Sequence, residues 1–88
     1  MLREKVWCVY LLECKGGSYY AGITNDLLAR YKAHQEGRGS KYTRAHPPTR
    51  LIGSRQFPDR STASQAEWAI KQLPRSKKVA YLNRAHSP

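Results

Sequence analysis

No apolar run in this chain approaches the roughly 18 residues that a membrane span needs, and no secretory hydrophobic segment is present. A soluble protein with no membrane partner is the expectation. Cysteine is nearly absent too: Cys8 and Cys14 are the two in the chain. They fall on the same side of one predicted strand, about 20 Å apart at roughly 3.3 Å per residue, too far to pair. With no disulfide framework possible, both read as packing residues, and a reducing cytoplasm is the expected compartment. Repeats and low-complexity linkers are also missing. Acidic residues are few, six against sixteen Lys and Arg, which leaves a formal net charge of +10 spread along the chain. Such a field favours a polyanionic partner, most readily nucleic acid, although a ribosome-associated or merely cationic protein fits charge alone equally well.

At 88 residues the chain is expected to form one domain over residues 1–84, with a frayed tail from Ala85 to Pro88. There is no room for a separate targeting domain, so substrate choice must come from the domain's own surface or from a protein partner. The segment Val6-Trp7-Cys8-Val9-Tyr10-Leu11-Leu12 is β-branched, aromatic and almost continuously apolar, as a central strand would be. Lys15-Gly16-Gly17-Ser18 follows as a hairpin turn, and Tyr19 to Ile23 as the returning strand. Alternation there puts Tyr20 on the face opposite Tyr19 and Ala21. Gly22 marks a place where backbone must approach something closely.

Thr24-Asn25-Asp26 supplies capping side chains for a helix from Leu27 to Gln35, with Gly37 as its stop. Arg30 and His34, four residues apart, share one face of that helix, while Leu27 and Tyr31 form its packing stripe. Alone, such a pair fits a solvated helix face better than a site. Residues 36–50 turn polar, and Gly37, Gly39, Pro47 and Pro48 predict a basic loop. Arg38, Lys41 and Arg44 suit phosphate contacts there, and Tyr42 suits stacking on a base. Leu51 to Phe57 makes a third strand. A second helix is expected from a cap at Ser61 or Thr62, with Thr62 and Gln65 as a capping box. On it Ala63, Ala66, Ile70 and Leu73 mark the apolar stripe, with Glu67 beside them. A carboxylate in that position needs a lysine or arginine partner, or it serves as a ligand to a divalent cation. Pro74 ends this helix, and Ser76 to Arg84 forms a last short one with Lys77 and Lys78 outward. The sum is an α+β fold: a small three-stranded antiparallel sheet flanked by helices.

The tripeptides Cys8-Val9-Tyr10 and Tyr20-Ala21-Gly22, followed by Arg30 and His34 on a helix and by Glu67, resemble the GIY-YIG endonuclease domain. The resemblance spans residues 6–75 and implies the same three-stranded fold. The tyrosines and the final glycine are kept, whereas Cys8, Val9 and Ala21 depart from the signature. The family's asparagine, about three helical turns after its glutamate, has no counterpart at that spacing. Asn83 stands sixteen residues on, and the role is not carried over to it.

This resemblance implies a metal-dependent DNA endonuclease. Tyr10 would take a proton from the attacking water and His34 would relieve it of its own. Arg30 would clamp the scissile phosphate, and Glu67 would hold Mg²⁺ or Mn²⁺. Tyr20 would position phosphate or water, and Gly22 would serve close backbone packing against the site or the substrate. A free tyrosine, with a pKa near 10, is a poor base at neutral pH without such a neighbour. Without an appended groove-reading domain, single-stranded or branched DNA is favoured over duplex, with RNA as a further possibility. Trp7, Tyr19 and Tyr42 are candidate stacking surfaces for unpaired bases, and each fits a packing role equally well. The alternative is a nucleic-acid-binding module that keeps the scaffold and cleaves nothing.

Overall fold

The computed structural model describes residues 6–83. Three strands, β1 (Trp7–Cys14), β2 (Tyr19–Thr24) and β3 (Pro48–Phe57), form one antiparallel sheet in the order β2-β1-β3. Four helices accompany it: α1 (Leu27–Gln35), α2 (Lys41–Ala45), α3 (Arg60–Gln72) and α4 (Arg75–Asn83). This is the expected α+β architecture. The nearly continuous apolar run becomes the central strand because both of its faces are covered. Val9 and Leu11 point to one side, where Ala63, Ala66, Ile70 and Leu82 from α3 and α4 pack on them. Tyr10, Leu12 and Cys14 point to the other, beneath Tyr20, Leu27, Tyr31 and Leu51. Tyr19 and Tyr20 therefore serve opposite faces, as alternation requires. Both cysteines are buried and unpaired, and burial pushes their thiols up from the ordinary value.

The β1–β2 hairpin turns through Gly16 and Gly17 at φ +91° and +88°, a conformation that strains any L side chain. Helix α1 begins at Asp26, whose carboxylate accepts from the Ala29 amide, and ends before Gly37 at φ +79°. Among the described residues no helix is long and apolar enough to cross a membrane.

Four expectations need correction. Residues 36–50 are not all loop: Ser40 caps the short helix α2 by accepting from the Thr43 amide. The third strand starts at Pro48 rather than Leu51, which is tolerable because β3 is an edge strand and proline occupies its first position. Helix α3 is capped by Asp59 rather than by Ser61 or Thr62. Asp59 accepts from the Thr62 amide at 2.8 Å and the Thr62 hydroxyl completes the box, so the signature lay three residues upstream of the expected one. Finally, Lys78 turns inward and donates to the Ile70 carbonyl at 2.7 Å. Arg84 and the expected frayed tail lie outside the described residues.

The cap assignment is testable. Asp59→Ala lowers the urea midpoint of unfolding, whereas Ser61→Ala leaves it unchanged; the opposite order would place the cap where the sequence pattern first suggested.

Candidate active site

Tyr10 sits mid-way along β1, flanked by β2 on one side and β3 on the other, and is 1% exposed. Its partner in the β2 register is Gly22, and a Cβ there would stand 2.4 Å from the Tyr10 hydroxyl and 2.6 Å from Cζ. The phenol thus lies across bare backbone. Gly22 is required by the packing of the tyrosine itself.

From α1, His34 meets this phenol. Its Nε2 is 2.7 Å from the Tyr10 hydroxyl and its Nδ1 is 2.7 Å from Thr43 Oγ1 on α2, with both His34 and Thr43 at 0% exposure. A second glycine makes the fit possible, since a Cβ on Gly39 would fall 2.1 Å from His34 Nδ1. One tautomer satisfies all of these contacts together. Thr43 Oγ1 donates to the Ser40 carbonyl and lies 2.9 Å from Ser40 Oγ. It therefore accepts from His34 Nδ1–H, leaving Nε2 to accept from the Tyr10 hydroxyl. The result is a buried relay running from Tyr10 through His34 to Thr43.

Electrostatics follow from this burial. The Tyr10 phenol is pushed up to about 12, chiefly by burial; the Arg30 guanidinium opposes the rise, while Tyr20 and Glu67 add to it. His34 is pushed below its ordinary value by burial first and by Arg30 second. Burial and nearby charge shift proton affinities in this way because both change the cost of the ionised form. Arg30 is itself exposed, one turn before His34 on the same helix.

Tyr20 closes the cluster, its ring edge-on to His34 at 5.3 Å between centroids. Its other side stacks on Tyr42 at 5.7 Å, and Tyr42 stacks on His46 at 4.6 Å. Glu67 lies on α3 beside the apolar stripe, and its carboxylate pairs with Lys71 at 2.9 Å, one turn along. The part-buried carboxylate thus has its cation in that ammonium. Among the described residues no three His, Cys, Asp or Glu converge into a ready-made cage. A divalent metal held at Glu67 would therefore take most of its ligands from water.

The basic segment is less uniform than its sequence. Lys41 and Arg44 are exposed on α2, but Arg38 is paired with Glu36. Trp7 and Tyr19 pack against the α3 and α4 side of the sheet, under the guanidiniums of Arg60 and Arg75 respectively. Of the three candidate stacking rings, Tyr42 alone joins the cluster around His34. Sequence reasoning missed Gly39, Ser40, Thr43, Lys71 and Lys78. The Ser40-to-Thr43 spacing, a capping pattern, was the available signal, masked by the glycines and prolines around it.

Two outcomes follow. Tyr10→Phe leaves His34 Nε2 without its donor and lowers stability by about 1–3 kcal/mol in denaturant unfolding. It also removes the highest step from an ultraviolet titration of the tyrosines. The His34 contribution has a definite sign. The unfolded chain takes up a proton near pH 6.5 and the folded chain only lower, so stability is full above about pH 6.5 and declines as pH falls below it. His34→Gln flattens that decline in thermal melts.

The family described as the GIY-YIG catalytic domain matches residues 6–80. A UPF0213 protein of Xanthomonas campestris is 58% identical over 82 residues, 93% of this chain and 80% of that protein. Another from Cupriavidus pinatubonensis is 45% identical over 88 residues, covering 100% of this chain and 98% of its own. The solution structure of the UPF0213 protein from Bacillus halodurans is 41% identical with a TM-score of 0.54, over 94% of this chain and 88% of that one. A solution structure from E. faecalis is 36% identical with a TM-score of 0.64, over 100% and 98%. With its tyrosine-bearing strands, its buried relay and these relatives, the chain belongs to the GIY-YIG family and carries that family's nuclease-type fold, in the company of small bacterial UPF0213 proteins.

Proposed function

We propose that this protein is a divalent-metal-dependent endonuclease that hydrolyses phosphodiester bonds in DNA, with single-stranded or branched DNA preferred over duplex. The observation that carries the reading is the buried hydrogen bond from Tyr10 to neutral His34, continued to Thr43. Phosphodiester hydrolysis needs an activated water, a clamp on the phosphate and help for the leaving oxygen. Tyr10 as an isolated base is poor, because burial holds its phenol near 12. As a relay it is effective: the water's proton passes to the Tyr10 oxygen while the phenol's own proton passes to His34 Nε2. The imidazolium so formed keeps its Nδ1–H on Thr43. Arg30, nearby and positive, lowers its hold on the proton and favours its return to solvent after the reaction. The planar guanidinium of Arg30 binds two phosphate oxygens and offsets charge there. Tyr20 positions the phosphate or the water. Glu67 would hold the metal, which when bound supplies electrophilic stabilisation of the phosphate and the leaving oxygen.

The second reading, a nucleic-acid-binding module without cleavage, is favoured by the Glu67–Lys71 ion pair, which gives the carboxylate a purely structural partner. Cleavage separates the two. Incubation with end-labelled single-stranded, branched and duplex DNA gives cutting with Mg²⁺ or Mn²⁺ and none with EDTA. Arg30→Ala and Glu67→Ala each lower the rate by about 10²–10³ fold while remaining folded. Salt-sensitive binding with no cutting under either ion would establish the binding module instead. Intact linear duplex as the best substrate would overturn the preference for open DNA.

A further inference from the structure

A cavity of about 300 Å³ opens beside the cluster, lined by Tyr19, Tyr20, Ala21, Tyr42, Lys71 and Lys78. It lies along β2, which is an edge strand, and it shares Tyr20 with the catalytic cluster, where the same ring stands edge-on to His34. Two lysines from different helices converge on it. Lys71 is held by Glu67, whereas Lys78 is anchored through one bond to the Ile70 carbonyl. Among the described residues no carboxylate pairs with Lys78. The charge on Lys78 is disfavoured, first by its burial and then by Lys71. Glu67 offsets the charge of Lys71, and among the described residues no carboxylate offsets that of Lys78, so the tyrosine-walled cavity carries a net positive charge. An anion relieves that imbalance, and phosphate offers several acceptor oxygens to two separate donors at once. The volume is at the low end of what encloses a small ligand and far below what a folded partner needs.

We infer that this cavity seats one nucleotide of the DNA strand next to the scissile phosphate. The phosphate of that nucleotide lies between Lys71 and Lys78, and its sugar and base lie along the Tyr20–Tyr42 wall. The inference rests on the nuclease reading and names how that site grips its substrate. Lys78 is the anchor. Lys71 is the exchanging partner, because a phosphate within its reach competes with Glu67 for the ammonium and releases the carboxylate.

The test uses the whole chain, free of divalent metal, with thymidine 5′-monophosphate, thymidine and inorganic phosphate as probes in amide chemical-shift titrations. The monophosphate shifts the amides of Tyr19, Tyr20, Ala21, Lys71 and Lys78. Lys78→Met weakens its binding by about tenfold, the loss of one charge-assisted hydrogen bond. Lys77→Met, a neighbouring exposed lysine, binds as the unaltered protein does. Shifts centred elsewhere in the unaltered protein would overturn the assignment whether or not the variants fold. Inorganic phosphate as strong as the monophosphate would reassign the seat to a free anion. Equal weakening in both variants would reduce it to general surface charge. Cleavage scored in parallel keeps the two proposals apart: cutting without these shifts sinks the seat alone, and shifts without cutting under Mg²⁺ or Mn²⁺ sink the nuclease reading and leave a nucleotide seat with no scissile phosphate beside it.

Discussion

Tyr10 and His34 both give up contact with water, and the 2.7 Å hydrogen bond between them is what makes that burial tolerable. A buried polar atom left without a partner costs on the order of 1–3 kcal/mol, so neither side chain could stay here alone. Much else in the fold is arranged around this pair. The phenol needs a residue without a side chain opposite it, and Gly22 supplies that on β2. The imidazole needs the same on its outer side, and Gly39 supplies it. Its second nitrogen meets Thr43 Oγ1, which α2 holds 2.7 Å away.

Charge is organised on a different principle. The basic excess is distributed, but near the site each cation has a distinct setting. Arg30 is exposed and depresses the proton affinity of both Tyr10 and His34. Lys71 is committed to Glu67, Arg38 to Glu36, and Lys78 to a backbone carbonyl at the end of α3. A chain with few carboxylates has set one of them, Glu67, against Lys71, which lines a cavity with Tyr20 of the cluster. The field presented to a polyanion is therefore shaped by which cations remain uncommitted, a matter of local pairing that the net charge does not express.

The sequence made the sheet legible because β1, buried on both faces, reads as one apolar run, and because two consecutive glycines at the hairpin have little other use. Helix α1 was legible to the residue, since Asp26 and Gly37 bracket it with opposite and familiar end chemistry. The five polar residues at Tyr10, Tyr20, Arg30, His34 and Glu67 came from spacing together with the family resemblance. What could not be read was tertiary. Helix α2 is too short for periodicity to declare it, and its stability comes from Ser40, Thr43 and the histidine beneath. Lys71 as the partner of Glu67 was one of several basic residues available, and Lys78 faced inward only because Ile70 offers it a carbonyl. The cap at Asp59 was overlooked because Thr62, its partner in the box, also stands three residues before Gln65 and so offers a second box of the same form.

Helix α2 spans five residues, well below the length at which a helix persists unaided in water. Its integrity and the outer end of the hydrogen-bonded chain are consequently one equilibrium. Whenever this short segment opens, His34 loses the acceptor that fixes its tautomer, and the imidazole becomes free to exchange its proton between nitrogens. Opening of a surface element would in this way change which nitrogen of the ring faces Tyr10 as an acceptor.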